Sequence, residues 1–391
     1  MKEQQLFRCT YMRGGTSKAV FIKKNELPVD IKERDEVIKA IFSTDERQID
    51  GMGGADITTS KVAIVSPSNR EDADVDYNFG QVQIGRDAID WNTNCGNISS
   101  AVGPFAIDEG MVKTTDPLTE VRIYNVNTDK ILVAKVETKD GRAAVHGDFV
   151  LDGVPGTGSR IELDYCRTAG AATGRLLPTG NPTDILMVDG VGEVEVSIVD
   201  IANPVCFVKA ADVGLCGDEP KPELAGNRGM LEKLEKIRAA AAVRCGFTDD
   251  LSKVLDESPT RPMMAFVSPA RDYVNYASGE VISGNEVDFL SRVLWNQEPV
   301  DTYTGTGTIC TCVASCIEGT VVNQVKGNSE VVPGQVSFGH GRGINTVAVS
   351  VSKTDSGFVV EKAVFNRTAR RIMDGYCYVK NEKIGLPGIE R

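Results

Sequence analysis

The chain has 391 residues, 41% of them apolar and 25% charged, with a formal net charge of −12; this length exceeds one ordinary domain and points to two compact halves, each burying its own core. The acidic balance argues against a nucleic-acid partner, because phosphate backbones are bound by positive surfaces, and any anionic ligand would need a local positive site. No stretch approaches the length of a membrane span. Near the N-terminus Arg8, Arg13, Lys18, Lys23 and Lys24 break up the apolar residues, so no secretory leader is expected.

The ten cysteines are scattered through the chain, which in the absence of a secretory address predicts reduced thiols in a cytosolic protein. There are only two histidines, His146 and His340. Mechanisms that need a histidine dyad or a three-histidine metal site are therefore nearly excluded, and both histidines are expected to be structural.

In chain order, residues 6–11 alternate as a strand and run into Met12-Arg13-Gly14-Gly15-Thr16-Ser17-Lys18. A glycine pair followed by two hydroxyls and bounded by cations reads either as an anion cradle or as a strand-ending turn with solvated charges. The spacing is not that of a Walker phosphate loop. A second glycine-rich segment, Gly51-Met52-Gly53-Gly54, continues through Thr58, Thr59 and Ser60 to Lys61 at the head of an apolar strand over 62–65. A lysine entering a buried strand must snorkel outward or meet an anion, so Lys61 is either an edge-strand lysine or a ligand group.

Next, Asn94-Cys95-Gly96-Asn97 precedes an apolar helix expected over 98–107. A free thiol is only a few per cent ionised at neutral pH, and a helix N-terminus supplies about 0.3 to 1 kcal/mol. An active Cys95 would need a cation as well, and Lys61 is the candidate. Strands follow at 121–124, 131–136 and 194–199, with the Gly-, Thr- and Pro-rich stretch 150–182 as the natural connector.

Helices are expected over 230–244, stopped by Gly246, and over 286–295, opened by a Ser283–Glu286 capping box. A second small-residue turn, Thr306-Gly307-Thr308-Ile309-Cys310, leads into a helix over 311–317. It echoes the turn at Cys95, so the chain carries a weak internal duplication. Two such helix starts facing each other across a cleft would bind an anion without a metal. The spacing of Cys310, Cys312 and Cys316 matches no standard zinc pattern, and these thiols are expected to pack as small apolar groups.

Taken in order, "MRGGTSK", "IDGMGGADITTSKVAIV", "NCGNISSAVGPFAIDEGMV", "VSIVDIANPVCFV" and "AFVSPARDY" resemble the PrpF-type isomerases, whose members include 2-methylaconitate isomerase, oxalomesaconate tautomerase and methylitaconate Δ-isomerase. The resemblance runs through most of the chain. It implies a mixed α/β fold like that of diaminopimelate epimerase, with two similar halves, each a curved sheet around a central helix, and the active site between them. On this reading the halves are residues 1–185 and 186–374, with the tail from about 375 to 391 returning to the first.

The resemblance further implies that Lys61 and Cys95 are catalytic and that Thr16, Ser17, Gly53, Gly54, Gly96 and Asn97 hold substrate carboxylates. Ser60 and Asn203 belong to the same matching segments, and Gly305, Thr306 and Thr308 line the second helix start. No cofactor or metal is implied, the partner is a small unsaturated di- or tricarboxylate, and a homo-oligomer is expected. Relatives tend to read Gly-His-Pro-Ser-Gly where this chain has Gly339-His340-Gly341-Arg342-Gly343. A glycine-flanked arginine suits bidentate carboxylate recognition, so Arg342 is a further candidate ligand group.

The expected reaction is an allylic 1,3-proton shift in a small unsaturated acid. The overall pattern is most like that of the family members that act on methylitaconate. An amino-acid epimerase would share the fold but would need two opposed thiol bases, for which Cys310 is the available second. A non-catalytic carboxylate-binding protein is the remaining alternative.

Overall fold

In the computed structural model residues 3–91, 94–151, 153–300, 302–355 and 357–385 are described. The chain divides into two compact units, one formed by Met1–Leu163 with Asn366–Arg391 and one by Asp164–Phe365. The division at Leu163 and Asp164 falls within the stretch read as a connector, while the boundary read at 185/186 lies inside the strand Asp184–Val188 of the second unit.

In the first unit seven strands run in the spatial order Ala369–Lys380, Gln4–Gly14, Ser17–Lys23, Lys61–Pro67, Val75–Val82, Leu118–Asn125 and Lys130–Lys139. Their neighbour relations are antiparallel, antiparallel, parallel, antiparallel, parallel and antiparallel. The returning tail thus supplies an edge strand, paired with the N-terminal strand from Gln4 opposite Lys380 to Gly14 opposite Ala369. The helix Gly96–Asp108 is buried along almost its whole length and touches strands from both ends of this series, so the sheet curves around it.

That helix is built from small residues because its surroundings are close. A Cβ added at Gly103 would stand 2.9 Å from Val136 Cγ2 and 3.2 Å from Ala134 Cβ. Ile98, Val102 and Phe105 fill the remaining space, with the Phe105 ring 5.2 Å from that of Phe21. Each such buried side chain stabilises the fold by about 1.5–3 kcal/mol.

The second unit repeats the plan. Its strands run Asp184–Val188, Gly192–Ile201, Asn203–Lys209, Met263–Pro269, Phe289–Trp295, Gln335–His340 and Gly343–Thr354, with the same succession of antiparallel and parallel neighbours. The helix Gly305–Cys316 is its buried centre, packed against four of these strands. The duplication expected from two short turns extends to the whole architecture.

Two sequence expectations are corrected. Residues 289–295 form a strand, Phe289–Trp295, and not the expected helix over 286–295. The capping box of Ser283 and Glu286 exists, but it closes only the single 3-10 turn Gly284–Glu286. The strand is buried on both faces, so its apolar residues do not alternate, and Val287, Leu290 and Leu294 fall at helical spacing by accident. The second helix also starts earlier than expected, at Gly305, because Thr304 caps it by accepting the Gly307 N–H at 3.0 Å. Cys310 therefore lies inside the helix and not at its start. The helix expected over 230–244 is present as Arg228–Arg244, and Gly246 follows it at φ +74°. Among the described residues no helix is long and apolar enough to cross a membrane.

The tight fit at Gly103 can be tested by overpacking. Gly103→Leu should lower unfolding stability by about 1–3 kcal/mol, whereas Gly226→Ala, where an added Cβ meets nothing within 4 Å, should not. Equal denaturation midpoints for wild type and Gly103→Leu would contradict the packing described.

Candidate active site

Lys61 is the first residue of the strand Lys61–Pro67 and is only 5% exposed. Its neighbours fix the ammonium closely. Nζ donates to Gln81 Oε1 at 2.5 Å and lies 5.2 Å from the centre of the Phe79 ring, and the Cys95 thiol is near enough to act on its charge. Burial pushes the Lys61 pKa below its ordinary value, while the charges of Cys95 and Asp56 oppose that shift. A desolvated lysine near a thiol is suited to proton exchange.

Cys95 is partly exposed and occupies the N-cap position of the Gly96–Asp108 helix, where it makes no side-chain capping bond. Its carbonyl instead accepts from the Ser99 backbone at 2.9 Å and the Ser99 hydroxyl at 3.0 Å. The preceding Asn94 is buried and locked by Asn125, whose Nδ2 donates to Asn94 Oδ1 at 2.9 Å. The thiol therefore sits on a rigid support beside the first N–H groups of a helix, the end that favours negative charge.

The glycine pair at 14 and 15 exists for the approach of Asn97. A Cβ at Gly14 would lie 2.5 Å from the Asn97 carbonyl oxygen, and one at Gly15, whose φ is +50°, would lie 2.2 Å from Asn97 Oδ1. With that space clear, Asn97 Nδ2 donates to Thr16 Oγ1 at 3.0 Å and Ser17 Oγ at 3.4 Å. On its other side Asn97 Oδ1 accepts from Arg367 Nε at 3.2 Å. Thr16, Ser17, Gly96 and Asn97 are thus brought together at the helix start, with the buried Arg367 guanidinium behind them.

Other expected residues take different parts. Ser60 is fully buried and donates to Gln48 Oε1 at 2.5 Å, so its hydroxyl serves the loop. A Cβ at Gly53 would meet the Gln48 amide at 2.3 Å, and one at Gly54 would meet Thr59 Oγ1 at 2.3 Å. These two glycines therefore make room for the loop's own side chains.

In the second unit Asn203 Nδ2 donates to Thr306 Oγ1 at 2.9 Å, which brings Asn203 to Gly305 and Thr306. Thr308 is buried, donating to the Thr304 carbonyl at 2.9 Å and accepting from Asn345 at 3.0 Å. Arg342 is exposed, with its guanidinium over the Tyr276 ring at 5.0 Å and Nε donating to the Tyr276 hydroxyl at 3.0 Å. His340 is buried, and its Nδ1 accepts from the Arg342 backbone at 3.2 Å.

The repeated architecture identifies the counterparts of Lys61 and Cys95. Met263 heads the strand equivalent to that of Lys61, and Thr304 caps the helix equivalent to that of Cys95. They are in contact, Thr304 Oγ1 donating to Met263 Sδ at 3.3 Å. Neither is an acid or base at ordinary pH. Cys310 is fully buried, its thiol donates to the Val199 carbonyl at 3.2 Å, and burial raises its pKa.

Among the described residues the one cluster with metal-ligand potential is Cys216, Asp218 and Glu219. Its groups are otherwise engaged. The Glu219 carboxylate accepts the N–H groups of Cys216 at 2.5 Å and Gly217 at 2.8 Å, and Asp218 pairs with Arg271 at 2.8 Å.

Gln81, Gln48 and Arg367 were not singled out from sequence. Gln81 had a signal: along the strand Val75–Val82 it continues the buried face of Val75, Tyr77 and Phe79, a polar residue in an apolar phase. Arg367 reaches Asn97 from 270 positions away, which no local pattern reveals.

Comparison with solved structures first defines the class. A hydroxyproline epimerase from Agrobacterium vitis matches with a TM-score of 0.55 at 12% identity, covering 97% of this chain and 94% of that one. Together with the doubled plan of sheet and central helix, this gives a mixed α/β fold of the diaminopimelate-epimerase type. The chain belongs to the PrpF family, matching the description "PrpF protein" over residues 4–380.

Within that family, the 3-methylitaconate isomerase of Eubacterium barkeri is 49% identical over 98% of this chain and 100% of its own length. The 2-methyl-aconitate isomerase of Shewanella oneidensis is 36% identical, covering 95% of this chain and 96% of that one. A crystal structure of methylitaconate-delta-isomerase matches with a TM-score of 0.87 at 48% identity, over 100% of both chains.

The buried lysine leaves a thermodynamic signature. Because its pKa is depressed in the folded state, the unfolded chain binds more protons at this position between the folded value and the ordinary 10.5. Folding is penalised below that window, and the penalty is relieved as pH rises through it. The stability of wild type relative to Lys61→Met should therefore rise as pH increases toward 10.5, measured by denaturant unfolding at several pH values. A difference that stays constant would contradict the burial of a titrating lysine.

Proposed function

We propose that this protein is an isomerase that moves a proton across an allylic system in a small unsaturated dicarboxylic acid, converting methylitaconate to dimethylmaleate without metal or cofactor. The observation that carries the reading is a buried Lys61 whose charge is acted on by Cys95, the residue at the start of the central helix. The names of the similar PrpF proteins agree with it.

In this reaction one of the pair takes the proton from the carbon that bears a methyl group and a carboxylate. The electrons of that C–H bond delocalise as a dienolate, and a proton returned to the methylene carbon leaves the double bond inside the chain. As ammonium and thiolate, or as amine and thiol, the two groups comprise one base and one acid. After one turnover the proton gained by one group and lost by the other is passed back between them, which resets the pair. Backbone N–H groups at the helix start, with Thr16, Ser17 and Asn97, would hold the carboxylate on which charge develops, and such preorganised donors supply a large share of catalysis.

We extend the carboxylate-binding role to Asn203, Gly305 and Thr306, whose arrangement repeats that of Ser17, Gly96 and Asn97. The second unit's Met263 and Thr304 provide no acid–base pair, which favours a single reactive centre over a racemase with two opposed thiols.

The test is proton NMR of methylitaconate in D2O with a chelator present, beside 2-methylaconitate and 4-oxalomesaconate. Double-bond migration in methylitaconate is expected, with Cys95→Ser and Lys61→Met each lowering kcat by about 10²-fold or more. Near-normal turnover in either variant would sink the assignment.

Arg342 is proposed as a further carboxylate contact, which would require it to leave Tyr276. Arg342→Ala should then reduce kcat/KM by an amount equivalent to about 1.5–3 kcal/mol, and less for an analogue lacking one carboxylate. Equal losses for acid and analogue would show that it serves only to hold Tyr276 and its loop.

A further inference from the structure

Lys61 has a partner whose own geometry is fixed. Gln81 lies directly opposite it in the antiparallel pair Lys61–Pro67 and Val75–Val82. The Gln81 side chain is buried, and its two ends are committed in opposite senses: Oε1 accepts from Lys61 Nζ at 2.5 Å, and Nε2 donates to the Ser60 carbonyl at 2.9 Å. The Ser60 carbonyl can only accept, so the amide nitrogen must face it and the amide oxygen must face Lys61. Ser60 is held in turn by Gln48, whose Oε1 also accepts the Ala55 N–H at 2.9 Å and whose Nε2 donates to the Ser43 carbonyl at 3.0 Å.

Charge makes the choice of glutamine informative. The groups acting on Lys61 are the Cys95 thiol from the helix start and Asp56 from the glycine-rich loop; the adjoining strand contributes Gln81 and Phe79, both uncharged. A carboxylate in place of the amide would hold the ammonium as strongly but would stabilise its charged form. The second unit supplies a comparison. There the lysine position is Met263, and on the facing strand the residue after Leu294, the partner of Met264, is Trp295. The amide stands where the lysine stands.

We propose that Gln81 is the positioning residue of the acid–base pair, fixing Lys61 Nζ beside the Cys95 thiol through a neutral, singly oriented amide anchored on Ser60. It does not touch the substrate. This inference rests on the catalytic reading of Lys61, and the experiment separates the two.

Gln81→Leu keeps much of the volume but removes the acceptor, and Gln81→Glu keeps an acceptor and adds charge. Kinetics on methylitaconate across pH, with Lys61→Met as control, are combined with NMR titration of Lys61 in protein carrying 13C-labelled lysine, its signal assigned by the loss in Lys61→Met. Gln81→Leu should lower kcat about tenfold or more while leaving KM nearly unchanged. Gln81→Glu should move both the Lys61 titration and the matching limb of the rate profile upward by about one pH unit or more.

A Gln81→Leu enzyme with wild-type kcat, or a Gln81→Glu protein whose Lys61 titrates as in wild type, overturns the proposal. Should Gln81→Leu fail to fold, the titration in Gln81→Glu still decides. An active Lys61→Met would instead refute the catalytic reading, and the NMR titration would then report on the Gln81 contact by itself.

Discussion

The first unit is organised around one unfavourable placement, a lysine ammonium taken out of water at the head of an interior strand. An uncompensated charge in such a position is expensive. The structure offsets the cost with an amide oxygen, a ring face and a thiol, while Asp56 acts through charge alone. Each of these neighbours needs its own support. Gln81 is anchored on Ser60, and Cys95 is placed by a helix start that Asn94 and Asn125 hold in position. The curved sheet around the Gly96–Asp108 helix brings these pieces to one point.

The second unit shows what the same plan becomes when the charge is removed. Its helix cap and strand head touch as Thr304 and Met263. The hydrogen bonding around the helix start survives in altered form, Asn203 to Thr306 where the first unit has Asn97 to Thr16 and Ser17. Ala202 at φ +61° precedes Asn203 much as Gly15 at φ +50° precedes the Thr16–Ser17 hydroxyls. A duplicated fold thus carries one lysine–cysteine pair and two sets of polar donors.

Much of this was legible in the sequence where chemistry and local pattern coincide. Gly14, Gly15, Lys61, Cys95 and Asn97 stand in short segments whose residue types already limit their uses. The fold class followed from ordered motifs, and the strands at 6–11, 62–65, 121–124, 131–136 and 194–199 from alternation. The reading failed where tertiary context overrides local pattern. Residues 289–295 pack as a doubly buried strand, and Cys310, read as closing a turn, lies within a helix that Thr304 had already started. Gln81 and Arg367 act through strand register and chain return, which are properties of the assembled sheet.

The central claim is that Lys61 and Cys95 flank the carbons between which the proton moves. It is tested most directly by a crystal structure of the protein with 2,3-dimethylsuccinate, a saturated analogue that cannot isomerise. The account predicts the methine and methyl carbons about 3–3.5 Å from Lys61 Nζ and Cys95 Sγ, with a carboxylate on the N–H groups of the Gly96–Asp108 helix. An analogue bound with its carbons away from both residues would contradict it.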